Sequence, residues 1–173
     1  MDSFSIILVV VLLILVILSA FFSGSETSIM ALNQIKLDNA EKQGNKSAKI
    51  INSLRKEINR VLGVILIGNN LVNISASALL TFFVIKKFGD EYVWIGTLLL
   101  TIFIIIFAEI APKSFAAKRP ESIAYPASRI LKVLTKYLGS FSEILTNISN
   151  SLTGIKNNEN YFSENLNRDE LKS

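Results

Sequence analysis

The stretch "FSIILVVVLLILVILSAFFSGSETSIMAL" (residues 4–32) runs almost without interruption through apolar residues to Phe22. It then sets Ser23, Gly24, Ser25 and Glu26 ahead of a second apolar group at Ile29. A helix needs about 20 mainly apolar residues to cross a hydrocarbon core about 30 Å thick, so the first part is a membrane span. The polar insertion at its end calls for a separate reason.

Composition agrees with the membrane class. Of the 173 residues 50% are hydrophobic, and they cluster in long runs. Two further runs are long enough to cross, Val61 to Ile85 and Tyr92 to Ala111. The fold expected is therefore all-α, with spans at about 4–33, 61–85 and 92–112, and with juxtamembrane helices over about 113–154. A cleaved signal peptide is the alternative for the first run. It would carry a basic N-terminus and an apolar core of only about 7–15 residues, whereas "MDSFS" has no positive charge.

Charge sets the direction of the spans. Residues 34–60 carry Lys36, Lys42, Lys46, Lys49, Arg55, Lys56 and Arg60 against Asp38, Glu41 and Glu57. By the positive-inside rule this connection is cytoplasmic. The expected topology is N-terminus outside and C-terminus inside, in a multi-pass protein of the cell membrane. The net charge of +4 is accounted for by that topology, and no nucleic-acid partner is inferred from it. After the third span, Ile130, Val133, Leu134, Leu138, Phe141 and Leu145 recur at helical spacing between Arg129, Lys132 and Lys136. Such a helix suits the membrane surface or a collar around the spans, or else packs as a soluble helix on a domain that follows. Residues 155–173 are polar and read as a linker.

Polar side chains inside a span are costly, and they usually face a bundle interior or a watery cavity. The second span holds Asn69, Asn73 and Ser77 at intervals of four, on one helical face. The third holds one carboxylate, Glu109, three residues before Pro112. Proline has no N–H to give the carbonyl four residues earlier, which is that of Ala108, and carbonyls freed in this way line cation sites in broken membrane helices. In the first span Ser23 and Ser25 offer hydroxyl oxygens, and Gly24 lets backbone come close. The set is all oxygen, because the chain has no cysteine and no histidine. Oxygen ligands suit hard cations, Mg²⁺ above all, with Ca²⁺ or Mn²⁺ in a looser site. The competing reading makes the amides and hydroxyls helix glue, with Glu109 paired to Lys113. An intramembrane enzyme with Ser23 or Ser25 as nucleophile is disfavoured, since no histidine can serve as base and Lys113 is the one nearby substitute.

Three ordered motifs, "FFSGSETSIMAL" at 21–32, "GNNLVNIS" at 68–75 and "AEIAPKSFA" at 108–116, resemble the transmembrane domain shared by the cyclin M (CNNM) magnesium transporters of animals and the CorB/CorC proteins of prokaryotes. The resemblance covers residues 4–154. It implies a homodimer in the lipid bilayer, each subunit with three spans, a juxtamembrane helical belt and Mg²⁺ held among the spans. The ligands it implies are the hydroxyl of Ser23, the amide oxygens of Asn73 and Asn69, the Glu109 carboxylate and a carbonyl near Ala108. It also implies that the linker leads to a cytoplasmic pair of nucleotide-binding CBS modules that this chain lacks.

Exporting Mg²⁺ would move two charges against the membrane potential, at roughly 4.6 kcal/mol per 100 mV. An inward sodium gradient (Na⁺) is the candidate driving force, with alternating access around the site. The alternative function is a non-transporting dimeric membrane anchor for a cytoplasmic nucleotide-sensing domain.

Overall fold

A computed structural model describes residues 3–153. The elements are α1 (Ser3–Ala31), α2 (Gln34–Lys42), α3 (Lys46–Lys56), α4 (Ile58–Phe88), a 3-10 turn (Asp90–Tyr92), α5 (Val93–Phe103), a π-helical segment (Ile104–Ile110), α6 (Ala111–Lys118) and α7 (Pro120–Thr153). Three helical stretches are long and apolar enough to span a membrane: Ser3–Ala31, Ile58–Phe88 and Asp90–Lys118. The chain is thus an all-α, multi-pass membrane protein, with no strand among the described residues. The polar stretch 155–173 lies outside them.

Local chemistry sets the boundaries. The first helix stops at Ala31, short of residue 33, because Asn33 serves the next one: its side chain accepts from the Lys36 N–H at 3.1 Å. Residues 113–118, expected to be juxtamembrane, continue the third span instead. The break comes at Arg119 (φ −136°, ψ 64°), as expected of a residue that a following proline pushes out of the α region.

The connection 34–60, expected only as a basic loop, folds into a helical hairpin. Gly44, at φ +87°, makes the turn after α2. Asn45 then caps α3, its Oδ1 accepting from Ser47 and Ala48 N–H groups at 2.9 and 3.1 Å. Leu37, Ala48 and Ile51 bury themselves with Leu32 and Ala124 of α7. Gln34 donates to Asp38 and Asn52, while Asn52 donates to Asp38 and Glu41. From α3, Arg55 reaches the end of α1: its Nη2 donates to the carbonyls of Ile29 (2.6 Å) and Leu32 (2.7 Å), and its Nη1 to Gln34 Oε1 (2.6 Å). A guanidinium there satisfies carbonyls that have no helical donor and offsets the negative end of the α1 dipole. Burial pulls the Arg55 pKa below its ordinary value, and the nearby Asp38 carboxylate partly restores it.

Helices α1 and α4 form an antiparallel pair. Phe4 meets Phe82 and Lys86 at one end, Ser19 meets Asn69 midway, and Ile29 shares a core with Val61 and Ile65 at the other. The pair closes over Gly68, where a Cβ would stand 2.5 Å from the Phe22 ring. Across the base of α4 lies α7. Here Gly63 and Gly139 leave room for Ser142 and Arg60, and Arg60 bridges Glu57 (3.1 Å) and Glu143 (3.3 Å).

Two expectations follow. Gly68→Ala drives a methyl into the Phe22 ring and lowers stability by about 1–3 kcal/mol, read as earlier thermal unfolding in detergent. Because the chain has no cysteine, single replacements report topology in intact cells. Glu91→Cys is labelled by an impermeant maleimide, whereas Lys46→Cys is labelled only after permeabilisation.

Candidate ion site among the three spans

The third span contributes through its irregular register. The Ala111 N–H bonds the Ile106 carbonyl, five residues back instead of four. Insertions of this π type are rare and concentrate at functional sites. Pro112 has no N–H, so in a plain α register Ala108 would lose its donor. Five residues before Pro112 stands Phe107, whose carbonyl also finds no donor at Pro112 in the wider register. Ala108 itself is fully buried. The Glu109 carbonyl receives the Ser23 hydroxyl at 3.5 Å, a weak contact that joins the first span to the third. The Glu109 residue is half-buried.

The competing Glu109–Lys113 pair is not the one formed. Lys113 Nζ lies 3.7 Å from Glu26 Oε2, so Glu26 and Lys113 neutralise each other one turn further toward the α2–α3 end. Glu109 takes part in no salt bridge among the described residues.

The first span places its hydroxyls by helical geometry. Ser19 and Ser23, four residues apart, share one face. Ser19 Oγ is fully buried and donates to Asn69 Oδ1 at 2.9 Å. Sequence reading passed over Ser19 because it sits alone in an apolar run, although its spacing from Ser23 was a usable signal. Ser23 and Ser25 do not share a face of α1. Two residues along a regular helix amount to about 200° of rotation, so their hydroxyls leave α1 on opposite sides. Ser25 is fully buried, and its Oγ has no hydrogen-bond partner. Gly24 serves packing: a Cβ there would stand 3.3 Å from Ile123 Cδ1 and 3.6 Å from Pro112 Cβ. Its bareness lets the start of α6 and the start of α7 close on α1.

The second span supplies Asn69, already paired with Ser19, and Asn73. The Asn73 Oδ1 is buried with no hydrogen-bond partner. By the antiparallel pairing of α1 and α4, Asn73 lies about one turn, or 6 Å, beyond Asn69. Asn70, off this face, is exposed. The oxygens thus form a ladder along the bundle: Asn73, then Ser19 with Asn69, then Ser23 with the Glu109 backbone.

The ladder is chemically uniform. Among the described residues no group of three or more His, Cys, Asp or Glu side chains occurs. Any ion held here would meet hydroxyl, amide and carbonyl dipoles with the single carboxylate of Glu109. Buried oxygens without donors, such as Asn73 Oδ1, are uncommon in folded proteins and call for a partner.

Comparison with known proteins places this architecture. Residues 10–173 match the family model of the cyclin M transmembrane N-terminal domain. The chain is 42% identical over 159 residues to the UPF0053 inner membrane protein YfjD of Escherichia coli, an alignment covering 90% of this chain and 37% of that protein. It is 44% identical over 129 residues to a UPF0053 protein of Haemophilus influenzae, covering 75% of this chain and 31% of the relative. It is also 35% identical over 156 residues to a putative chloroplastic DUF21 domain-containing protein of Arabidopsis thaliana, covering 90% of this chain and 23% of that one. The chain therefore spans about a third of the length of its bacterial relatives, and with three membrane helices and this match over nearly its whole length it belongs to the cyclin M transmembrane-domain family.

Proposed function

We propose that the chain is the ion-handling membrane domain of a divalent-cation transporter, with Mg²⁺ as its cargo. The observation that carries this reading is the buried Asn73 Oδ1, left without a donor on the same ladder as Ser19, Asn69, Ser23 and Glu109. An amide oxygen left buried and unpaired costs about 1–3 kcal/mol. A cation that it helps to coordinate would repay that cost.

Mg²⁺ sheds water reluctantly and usually keeps several waters, and a ladder of oxygens offers replacements in steps. One carboxylate leaves part of the ion's charge to dipoles, which favours release over retention. Residues Ser23, Asn69, Asn73 and Glu109, with carbonyls of the π segment, would supply the contacts. Ser19 would hold Asn69 in position. Rocking of the third span about its π segment would then expose the ladder to alternate sides, export being driven by sodium. The whole assembly would be a homodimer.

Calorimetric titration of Mg²⁺ into the detergent-purified chain tests the proposal. Saturable binding is expected, weakened at least about tenfold in Glu109→Gln, the loss that disturbing even a supporting group of a metal site brings. An absence of saturable binding in the unmodified chain would favour the anchor reading. A second measurement separates ligand from glue at Asn73. As a ligand, Asn73→Leu unfolds in chelator no earlier than the unmodified chain, because an unpaired buried oxygen has gone, and it loses stabilisation by Mg²⁺. As glue, the same change destabilises by about 0.6–1.7 kcal/mol with or without the ion.

A further inference from the structure

Helix α7 has three faces about a third of a turn apart. Ala124, Ala127, Leu131 and Thr135 are buried, turned toward α1, α3 and α4. A second face carries Ile130, Val133, Tyr137, Phe141, Ile144 and Ile148, all more than half exposed, with Tyr137 at 74%. A third carries Arg129, Lys132 and Lys136, which enter no salt bridge among the described residues. The next acid along that stripe, Glu143, is already held by Arg60. A continuous apolar face of this size on a protein surface marks something that covers it.

We propose that the outer face of α7 lies in the membrane leaflet at the α2–α3 end of the bundle, and that Arg129, Lys132 and Lys136 hold anionic phospholipid headgroups there. Place argues for it first. Pro120 opens α7 two residues after the third span ends at Lys118, so the helix leaves the bundle where hydrocarbon gives way to headgroups. The side chains fit that depth: an apolar face with Tyr137 in it and a basic stripe beside it, Lys136 Nζ lying 5.8 Å from the Tyr137 ring centre. This is the pattern of a helix lying in the interface. Charge argues against a second copy as the occupant. Two α7 helices paired on these faces about a two-fold axis would bring two unneutralised basic stripes together.

The test uses the 173-residue chain in nanodiscs. The single tryptophan, Trp94, is replaced in Trp94→Phe/Tyr137→Trp to give one reporter on α7. Its emission is expected to be quenched by phosphatidylcholine brominated near the headgroup, and an unquenched reporter would overturn the proposal, including one shielded by a second copy. Headgroup selectivity is read on the otherwise unmodified chain by native mass spectrometry in mixed phosphatidylglycerol and phosphatidylcholine. Enrichment of the anionic lipid is expected, falling roughly a hundredfold in Arg129→Gln/Lys132→Gln/Lys136→Gln, since each basic residue near an anionic surface adds about fivefold. The charge-conserving Arg129→Lys/Lys132→Arg/Lys136→Arg is expected to keep it. Equal enrichment in the glutamine variant, or loss in the charge-conserving one, would refute the headgroup contact.

Discussion

The ring of Phe22 occupies the space that any side chain at position 68 would need, and the bundle is arranged around that close approach. Helices in hydrocarbon gain little from apolar contact, because lipid tails are as apolar as leucine. Their association rests on close packing at small residues and on interhelical hydrogen bonds. Gly68 provides the first and the neighbouring Asn69, bonded to Ser19, provides the second. One pair of adjacent residues on α4 thereby fixes both the separation of α1 and α4 and their register. The position of Asn73, one turn along, follows from that register.

The third span is attached differently. It meets α1 through Gly24, packed under Pro112 and Ile123, and through the weak contact from Ser23 to the Glu109 carbonyl. Its main chain is π-helical at this point. A tight pair, α1 with α4, therefore stands beside a third helix held by looser contacts and an irregular backbone. If any span moves relative to the others at low cost, it is the one carrying Glu109. The half-exposed Glu26–Lys113 pair adds little to resist it, since pairs in such surroundings contribute at most about 1 kcal/mol.

The three spans were legible because length and hydropathy are what a bilayer demands, and the candidate face of α4 was legible because Asn69 and Asn73 stand at helical spacing. Other features left weaker traces. The α2–α3 hairpin is polar and short, and its stability comes from the Asn33 and Asn45 caps and from Arg55, which take effect only once α1 ends beside them. The π register is a choice of hydrogen-bond partner that leaves the hydropathy of "IIIFAEI" unchanged. Pro112 pointed to an irregularity but could not say which carbonyl it would free. Neighbours in "SGSE", Ser23 and Ser25 are turned about 200° apart by a regular helix, which sequence proximity does not show.

The base of the bundle explains why so much charge accompanies so apolar a chain. At 1.5 Å per residue the 29 residues of α1 extend about 43 Å, well beyond a hydrocarbon core of about 30 Å. The serine-rich end therefore approaches the headgroup level, where Arg55 can cap it and where α2, α3 and α7 can pack on it. That end would be water-exposed in a bare three-helix bundle, leaving Ser23 and Glu109 open to solvent. The hairpin and α7 close around it, burying Ser23, Ser25 and Ser28 almost completely. The opposite end carries no such collar among the described residues; the Phe4, Phe82 and Lys86 contacts and the short turn at Gly89 to Tyr92 stand there. The oxygen ladder is therefore enclosed most tightly at the end where basic charge is densest. The Glu26–Lys113 pair stands at that same end, so the collar and the pair close one end of the ladder while the other end lacks both.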